Sequence, residues 1–356
     1  MQFFSETEQI LTHYHHERRV FRFVQNRALF WLVLLFAFTA LPYIGSDYWF
    51  SAILVPFLIL SLAGLGLNIL TGYAGQLSLG SAAFMAVGAF ATYNLQLRIP
   101  HLSLLGSLFF GGVITALFGV IVGLPSLRIK GFYLIVSTLA AQFFIPWLFS
   151  QYGWFSNNNA SGVISAPPLH VFGHDLNSPA GHYELTLAIV TILGFAAHFL
   201  IQSPLGRNWM AVRDMDTAAA SIGIPILRTK LLAFAISSFY LGIAGALWAF
   251  AYLGTVETDG FNLNQSFQIL FIIIIGGLGS ISGSFLGAGF IVLLPIVLSL
   301  GSSALFGQNV DQALLHNLQK IIFGVLIIFF LIKEPDGLAR LWRRLSDHLK
   351  RWPLRY

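Results

Sequence analysis

Cysteine is absent from the 356-residue chain, which excludes a disulfide framework, a thiolate metal site and a cysteine nucleophile, and leaves the redox compartment open. Charge is scarce as well. Asp, Glu, Lys and Arg make up 9% of positions, against about 25% in a soluble globular domain. Hydrophobic residues occupy 56% of the chain, and its mean hydropathy is +0.77. A soluble fold of this size cannot hide so much apolar surface, so the solvent for most of it is lipid. No Gly is followed directly by Lys, so the phosphate-cradling loop G-x-x-x-x-G-K-[ST] is missing. Ionisable side chains nearly avoid the apolar runs, which disfavours proton-coupled pumping and voltage sensing. Sodium coupling through backbone carbonyls stays open. Residues 1–27 are polar, carry Glu6, Glu8 and Glu17, and lack the apolar core of a cleavable signal, so the mature chain is expected to begin near Met1.

A window of about 19 residues finds apolar runs near 28–44, 50–70, 79–96, 103–124, 132–150, 184–202, 229–253, 266–281, 284–300 and 315–332. The expected fold is all-α: a polytopic transmembrane helical bundle of about ten spans over residues 28–332, preceded by an N-terminal segment 1–27 and followed by a basic tail 333–356. The runs 28–44 and 266–281 are short for a hydrocarbon core of ~30 Å at ~1.5 Å per residue and are candidates for re-entrant segments. Positive charge supplies the orientation. With the N-terminus inside, 17 of the 19 basic residues fall in cytoplasmic segments; Arg98 lies outside and Lys320 within the last span. The outer loops hold Asp47, Asp175, Glu184, Glu257, Asp259 and Asp311. Both termini are therefore expected in the cytoplasm, and the net charge of +5 reflects membrane orientation rather than a nucleic-acid-binding domain.

Two stretches are rich in glycine and polar uncharged residues. The first runs from Asn68 to Gly80, and the second includes Gly276, Gly277, Gly279, Ser280 and Gly283. Non-helical backbone at membrane depth survives only where protein or a water-filled cavity satisfies it, so one reading is a broken helix lining a solute route through Asn68, Gly72, Tyr73, Gly75, Gln76 and Ser78. The other is an ordinary turn with glycines permitting close helix packing, and Gly279, Gly283 and Gly287, four apart, fit packing faces. Corresponding breaks in the two halves are also what an internal pseudo-repeat produces.

Between spans, the outer loop 151–182 is rich in Asn, Ser, Gly and Pro and reads as a cap. The inner loop 203–228 can form a short helix from Asn208 to Ile222, stopped by Gly223 and Pro225. Its alanines allow close approach to a partner, and Arg207 and Arg213 can make charge-assisted hydrogen bonds on the side where ATP is available. His13, His15 and His16 are read as a solvated tail, and His174 and His182 match no metal spacing. No cofactor, metal or catalytic residue is expected.

The run from Gly206 to Ile224 (GRNWMAVRDMDTAAASIGI) resembles the cytoplasmic coupling loop of bacterial ABC importer permeases, in particular the LivM type of branched-chain amino acid permease within the LIV/urea permease family. Segments 66–80, 128–134, 276–280 and 334–338 are similar to that family too. By this resemblance the loop docks in a groove of an ATPase subunit, with Asp216 in place of the usual Glu, Ala218 and Ala219 as the paired alanines and Gly223 as the glycine; Gly206, Arg207, Arg213 and Asp214 flank them. The resemblance further implies a multi-pass bacterial inner-membrane subunit that performs no catalysis itself. Its partners would be a second permease, two ATP-binding cassette subunits, a periplasmic substrate-binding protein and membrane lipid. The implied cargo is a branched-chain amino acid, with urea or a short amide as an alternative. A stand-alone secondary transporter is the reading from a different class.

Overall fold

The computed structural model describes residues 24–99, 101–128, 133–159, 162–171, 174–306, 312–333 and 337–351. Residues 24–45 belong to a unit of their own, containing helix α1 (Val24–Thr39) and a single turn at Leu41–Ile44. Leu32, Val33 and Leu35 on α1 are exposed, as a lipid-facing helix requires.

The larger unit is a bundle of apolar helices. A continuous helical span, Trp49–Tyr73, contains α2 (Val55–Asn68) between two π-helical turns. It is followed by α3 (Ser81–Arg98), α4 (Leu104–Arg128), α5 (Tyr133–Gln151) and α6 (Pro179–Gln202). Two short helices, α7 (Pro204–Asp214) and α8 (Asp216–Ser221), lead to α9 (Ile226–Leu247), which continues as a π-helical turn to Leu253. Then come α10 (Leu263–Gly276), α11 (Ile281–Phe306), α12 (Gln312–Lys333) and α13 (Gly337–Arg351). Each of the ten apolar runs coincides with a helix. Six helices among the described residues are long and apolar enough to cross a membrane. At 14 residues, α10 is only about 21 Å long.

Burial sorts these helices into layers. The most apolar window of Trp49–Tyr73 is 83% buried, against 33% for those of α4, α5 and α6, so the first sits at the bundle centre and the others at its periphery. Glycines set how closely the central helices approach. A Cβ on Gly88 of α3 would overlap the backbone of Gly242 in α9, and one on Gly245 would overlap the carbonyl of Met85. Gly111 of α4 is pressed against Thr92 of α3 in the same way, and Gly242 against Thr115 of α4. Such small-residue crossings replace the hydrophobic drive that lipid cannot supply.

Short ladders close the end opposite α7 and α8. Strand β1 (Ile164–Ser165) pairs antiparallel with β4 (Thr255–Val256), and β2 (His170–Val171) pairs with β3 (His174–Asp175), where His170 meets the Asp175 carboxylate. The loop 151–182 thus carries a little β structure within an otherwise mainly helical set of described residues. The tail, expected only to be basic, forms α13, whose sequence GLARLWRRLSDHLKR alternates apolar and basic positions at helical spacing.

Candidate functional site

The first glycine stretch is a buried helix end. The span Trp49–Tyr73 winds wide through Ile69–Tyr73, the Ala74 amide donates to the Ile69 carbonyl at 3.2 Å, and that of Gln76 donates to Leu70 at 3.0 Å. Gly75 takes φ +68°, a left-handed conformation that a side chain resists. The chain then runs without helix to Gly80, and α3 begins inside the protein. A buried helix start must have its free amides satisfied, and side chains from two other helices do this. Leu79 N donates to Thr138 Oγ1 at 3.1 Å, Ala82 N to Ser266 Oγ at 2.9 Å and Ala83 N to Gln142 Oε1 at 2.8 Å. The Ser266 hydroxyl also donates to Gln142 Oε1, and Gln142 Nε2 donates to the Phe261 carbonyl at 3.0 Å. Sequence reasoning missed Thr138, Gln142 and Ser266; the available signal was a polar side chain inside an apolar run.

The second glycine stretch joins α10 to α11 through Gly277 and Gly279, at φ +121° and +71°. It lies directly against the first. Asn68 fastens the two: Nδ2 donates to the Ser280 carbonyl at 2.8 Å and to Ser284 Oγ at 3.0 Å, and Oδ1 accepts from Gly279 N at 2.9 Å. A Cβ on Gly72 would collide with both Asn68 Oδ1 and Gly279 N. Within the second stretch, Gly276, Gly283 and Gly287 do pack backbone on backbone. Of the six expected route residues, Asn68, Gly72, Tyr73, Gln76 and Ser78 are buried and Gly75 is exposed. Gln76 Oε1 and, just beyond them, Ser81 Oγ are buried without a hydrogen-bond partner.

The loop between α6 and α9 differs from the expected single helix. It breaks at Met215, whose backbone is extended (φ −157°, ψ 97°). The arrest at Gly223 has a definite mechanism: Ile224 N donates to Ala219 O and Gly223 N to Ala220 O, both at 3.0 Å, with Gly223 at φ +88°. That is the paired bonding of a Schellman helix end.

The two halves of the loop have different surroundings. Helix α7 is anchored by Trp209, which is fully buried and donates through Nε1 to the Thr229 carbonyl at 3.0 Å; Gly206 is also buried. The shorter α8 is open. Met215 and Ile222 are 62% and 75% exposed, and Ala218 is exposed whereas Ala219 is buried. Asp216, in the first turn of α8, lies 3.9 Å from Lys230 Nζ. Arg207 is exposed, as is Gly223.

Arg213 joins this loop to the glycine breaks. Its Nη1 donates to the Gly72 carbonyl at 2.7 Å, and its Nε donates to Asp214 Oδ1 at 2.9 Å, which sets the guanidinium plane. A Cβ on Gly75 would sit 2.8 Å from Arg213 Cγ, and one on Gly279 3.5 Å from Nη1. Gln76 Nε2 adds a bond to the Lys230 carbonyl at 3.2 Å. From the tail, Gly337 packs on Ile275 O and Gly277 N, where a Cβ would come within 2.6 and 2.7 Å. Arg213 thus brings one residue of the 203–228 loop against Gly72 and Gly75, two of the residues expected to line a route.

Among the described residues no His, Asp and Glu cluster could hold a metal. His13, His15 and His16 lie outside the described residues, as do 129–132 and 334–336 from the segments similar to the permease family.

Comparison with known proteins agrees with this architecture. The family model described as branched-chain amino acid transport system / permease component matches residues 49–331. The chain is 30% identical over 310 residues to the high-affinity branched-chain amino acid transport system permease protein LivM of Salmonella typhimurium, covering 79% of this chain and 67% of that protein. It is 23% identical over 333 residues to the probable branched-chain amino acid transport permease protein LivM of Methanocaldococcus jannaschii, covering 81% and 92%. A shorter likeness, 30% over 125 residues, links it to the autoinducer 2 import system permease protein LsrC of an Enterobacter species, covering 34% and 36%. No solved structure matches. With the family model covering most of the chain and six helices able to cross a bilayer, this multi-pass membrane protein belongs to the family of branched-chain amino acid transport system permease components.

Proposed function

We propose that the chain is the membrane subunit of an ATP-driven ABC importer for branched-chain amino acids, working by alternating access. In this reading it crosses the bacterial inner membrane about ten times with both termini in the cytoplasm. It assembles with a second permease, two ATP-binding cassette subunits and a periplasmic binding protein. The loop 203–228 is the docking element: exposed Met215 and Ile222, at the two ends of α8, offer an apolar face to the ATPase, with Asp216, Ala218 and Gly223 shaping it.

The observation that carries the proposal is the Arg213 bond to Gly72. It connects the loop that would meet the motor to the broken helix that would meet the solute, without an intervening side chain. Movement of α7 then pulls directly on the Gly72–Gly80 segment. Asn68 serves to hold the two breaks together, because its amide is spent on three internal bonds. Gln76 Oε1 and the neighbouring Ser81 hydroxyl, buried without a hydrogen-bond partner, are the groups left to meet the ends of a zwitterion, with Tyr73 and Ser78 beside them.

The test is leucine uptake into liposomes containing the chain with the permease, ATPase and binding-protein subunits encoded beside it. Uptake should require ATP and all partners. Leucine uptake by this chain without any ATPase refutes the importer reading. Ile222→Glu should abolish ATPase copurification while the chain still accumulates in the membrane.

A further inference from the structure

Helices α4 and α5 flank α3 and leave a crevice of about 450 Å³ between them. Its walls are apolar: Val87 and Ala91 from α3, Ile114 from α4, Leu148 from α5 and Trp154 beyond it. The one polar side chain on the α3 wall below Arg98 is Asn94, whose Nδ2 is engaged by the Phe90 and Phe155 carbonyls at 2.8 and 3.1 Å. Ile114 is 39% exposed, so the crevice opens on the uncovered apolar face of α4.

At its mouth stands Arg98, the one basic residue that the charge pattern places outside the cytoplasm. Its guanidinium stacks 3.5 Å above the Trp154 ring and donates through Nη2 to the Trp154 carbonyl at 2.7 Å. No carboxylate pairs with it among the described residues, and most of its donors remain free. An Arg and a Trp together at the end of a membrane helix mark headgroup level.

Depth agrees with this. From Arg98 down to Val87 is eleven residues of helix, or about 16 Å, roughly half of a ~30 Å hydrocarbon core. The crevice therefore runs from headgroup level to the bilayer middle, the space of one acyl chain in one leaflet. We propose that it binds a single anionic phospholipid, with one acyl chain between α4 and α5 and the phosphate on Arg98.

The experiment places the full chain in phosphatidylcholine nanodiscs doped with a phosphatidylglycerol that carries an acyl-chain diazirine, and maps the adducts by mass spectrometry after irradiation. Adducts should concentrate on Val87, Ala91, Ile114 and Leu148, and unlabelled phosphatidylglycerol should compete better than phosphatidylcholine. Arg98→Gln should make the two competitors equal while leaving adduct positions unchanged. Ala91→Phe should remove the adducts by filling the crevice; if that variant does not accumulate, Ile114→Trp fills it from the half-exposed wall. Adducts spread evenly along α4 and α5, equal competition on the unsubstituted chain, or protection by free leucine would each overturn the proposal.

Discussion

Replacing Arg213 by Ala tests the link between motor and route most directly. The variant deletes the Nη1 bond to Gly72 and empties the contact with Gly75, but leaves Trp209, Met215 and Ile222 in place. A hydrogen bond from a charged donor contributes about 1.5–3 kcal/mol. The Arg213 side chain is 36% exposed, and solvent screening lowers that to about 1–2 kcal/mol. If this is the energy by which the loop holds the Gly72 segment, its loss corresponds to roughly a five- to thirtyfold shift between coupled and uncoupled arrangements. ATP-driven leucine uptake should fall by a factor in that range, with ATPase copurification and membrane accumulation unchanged. Arg213→Lys keeps the charge but not the fork that bonds Gly72 and Asp214 together, and should fall between. Wild-type uptake by R213A at normal abundance would refute the reasoning. Loss of ATPase binding would instead assign Arg213 to docking.

Asn68→Ala leaves the Gly279 amide without its acceptor in a largely buried site, whereas the Ser280 carbonyl keeps the Ser284 amide, and should lower stability by about 1–3 kcal/mol; thermal unfolding in detergent, followed by size-exclusion, reads this. Gly88→Val places a side chain on the Gly242 backbone and should prevent membrane accumulation altogether, scored by immunoblot of membrane fractions. Gly223→Ala has free space around it, so only the left-handed backbone resists; a cost of about 1 kcal/mol is expected, frayed at the end of α8, with ATPase affinity weakened severalfold in a pull-down titration.

Elements that depend on local sequence were legible. The apolar runs all became helices, and Gly223 ended α8, because hydropathy and a glycine at a helix terminus act within a few residues. What the sequence could not display were pairings across the chain. Asn68 and Ser280 are 212 residues apart and Arg213 is 141 from Gly72, so the two glycine stretches and the docking loop could be read only as separate features. Thr138, Gln142 and Ser266 show in the sequence only as polar side chains within apolar runs; the amides they satisfy were not legible, since a capping side chain supplied by another helix leaves no mark near the helix it caps. The break at Met215 was missed because nothing in MDTAAAS interrupts helical preference locally; the anchoring of α7 through Trp209 and Arg213 lies outside that stretch.

The glycine crossings of α3, α4 and α9 bear on which parts of the molecule can move. Where backbone rests on backbone, as at Gly88 with Gly242 and Gly245 with Met85, no side chain can change rotamer to absorb a displacement. Helices α3 and α9 therefore behave as a stator. Any stroke delivered through the loop must be taken up elsewhere, and the unwound segment before α3 and the Gly277–Gly279 turn are the compliant joints left to turn it into motion.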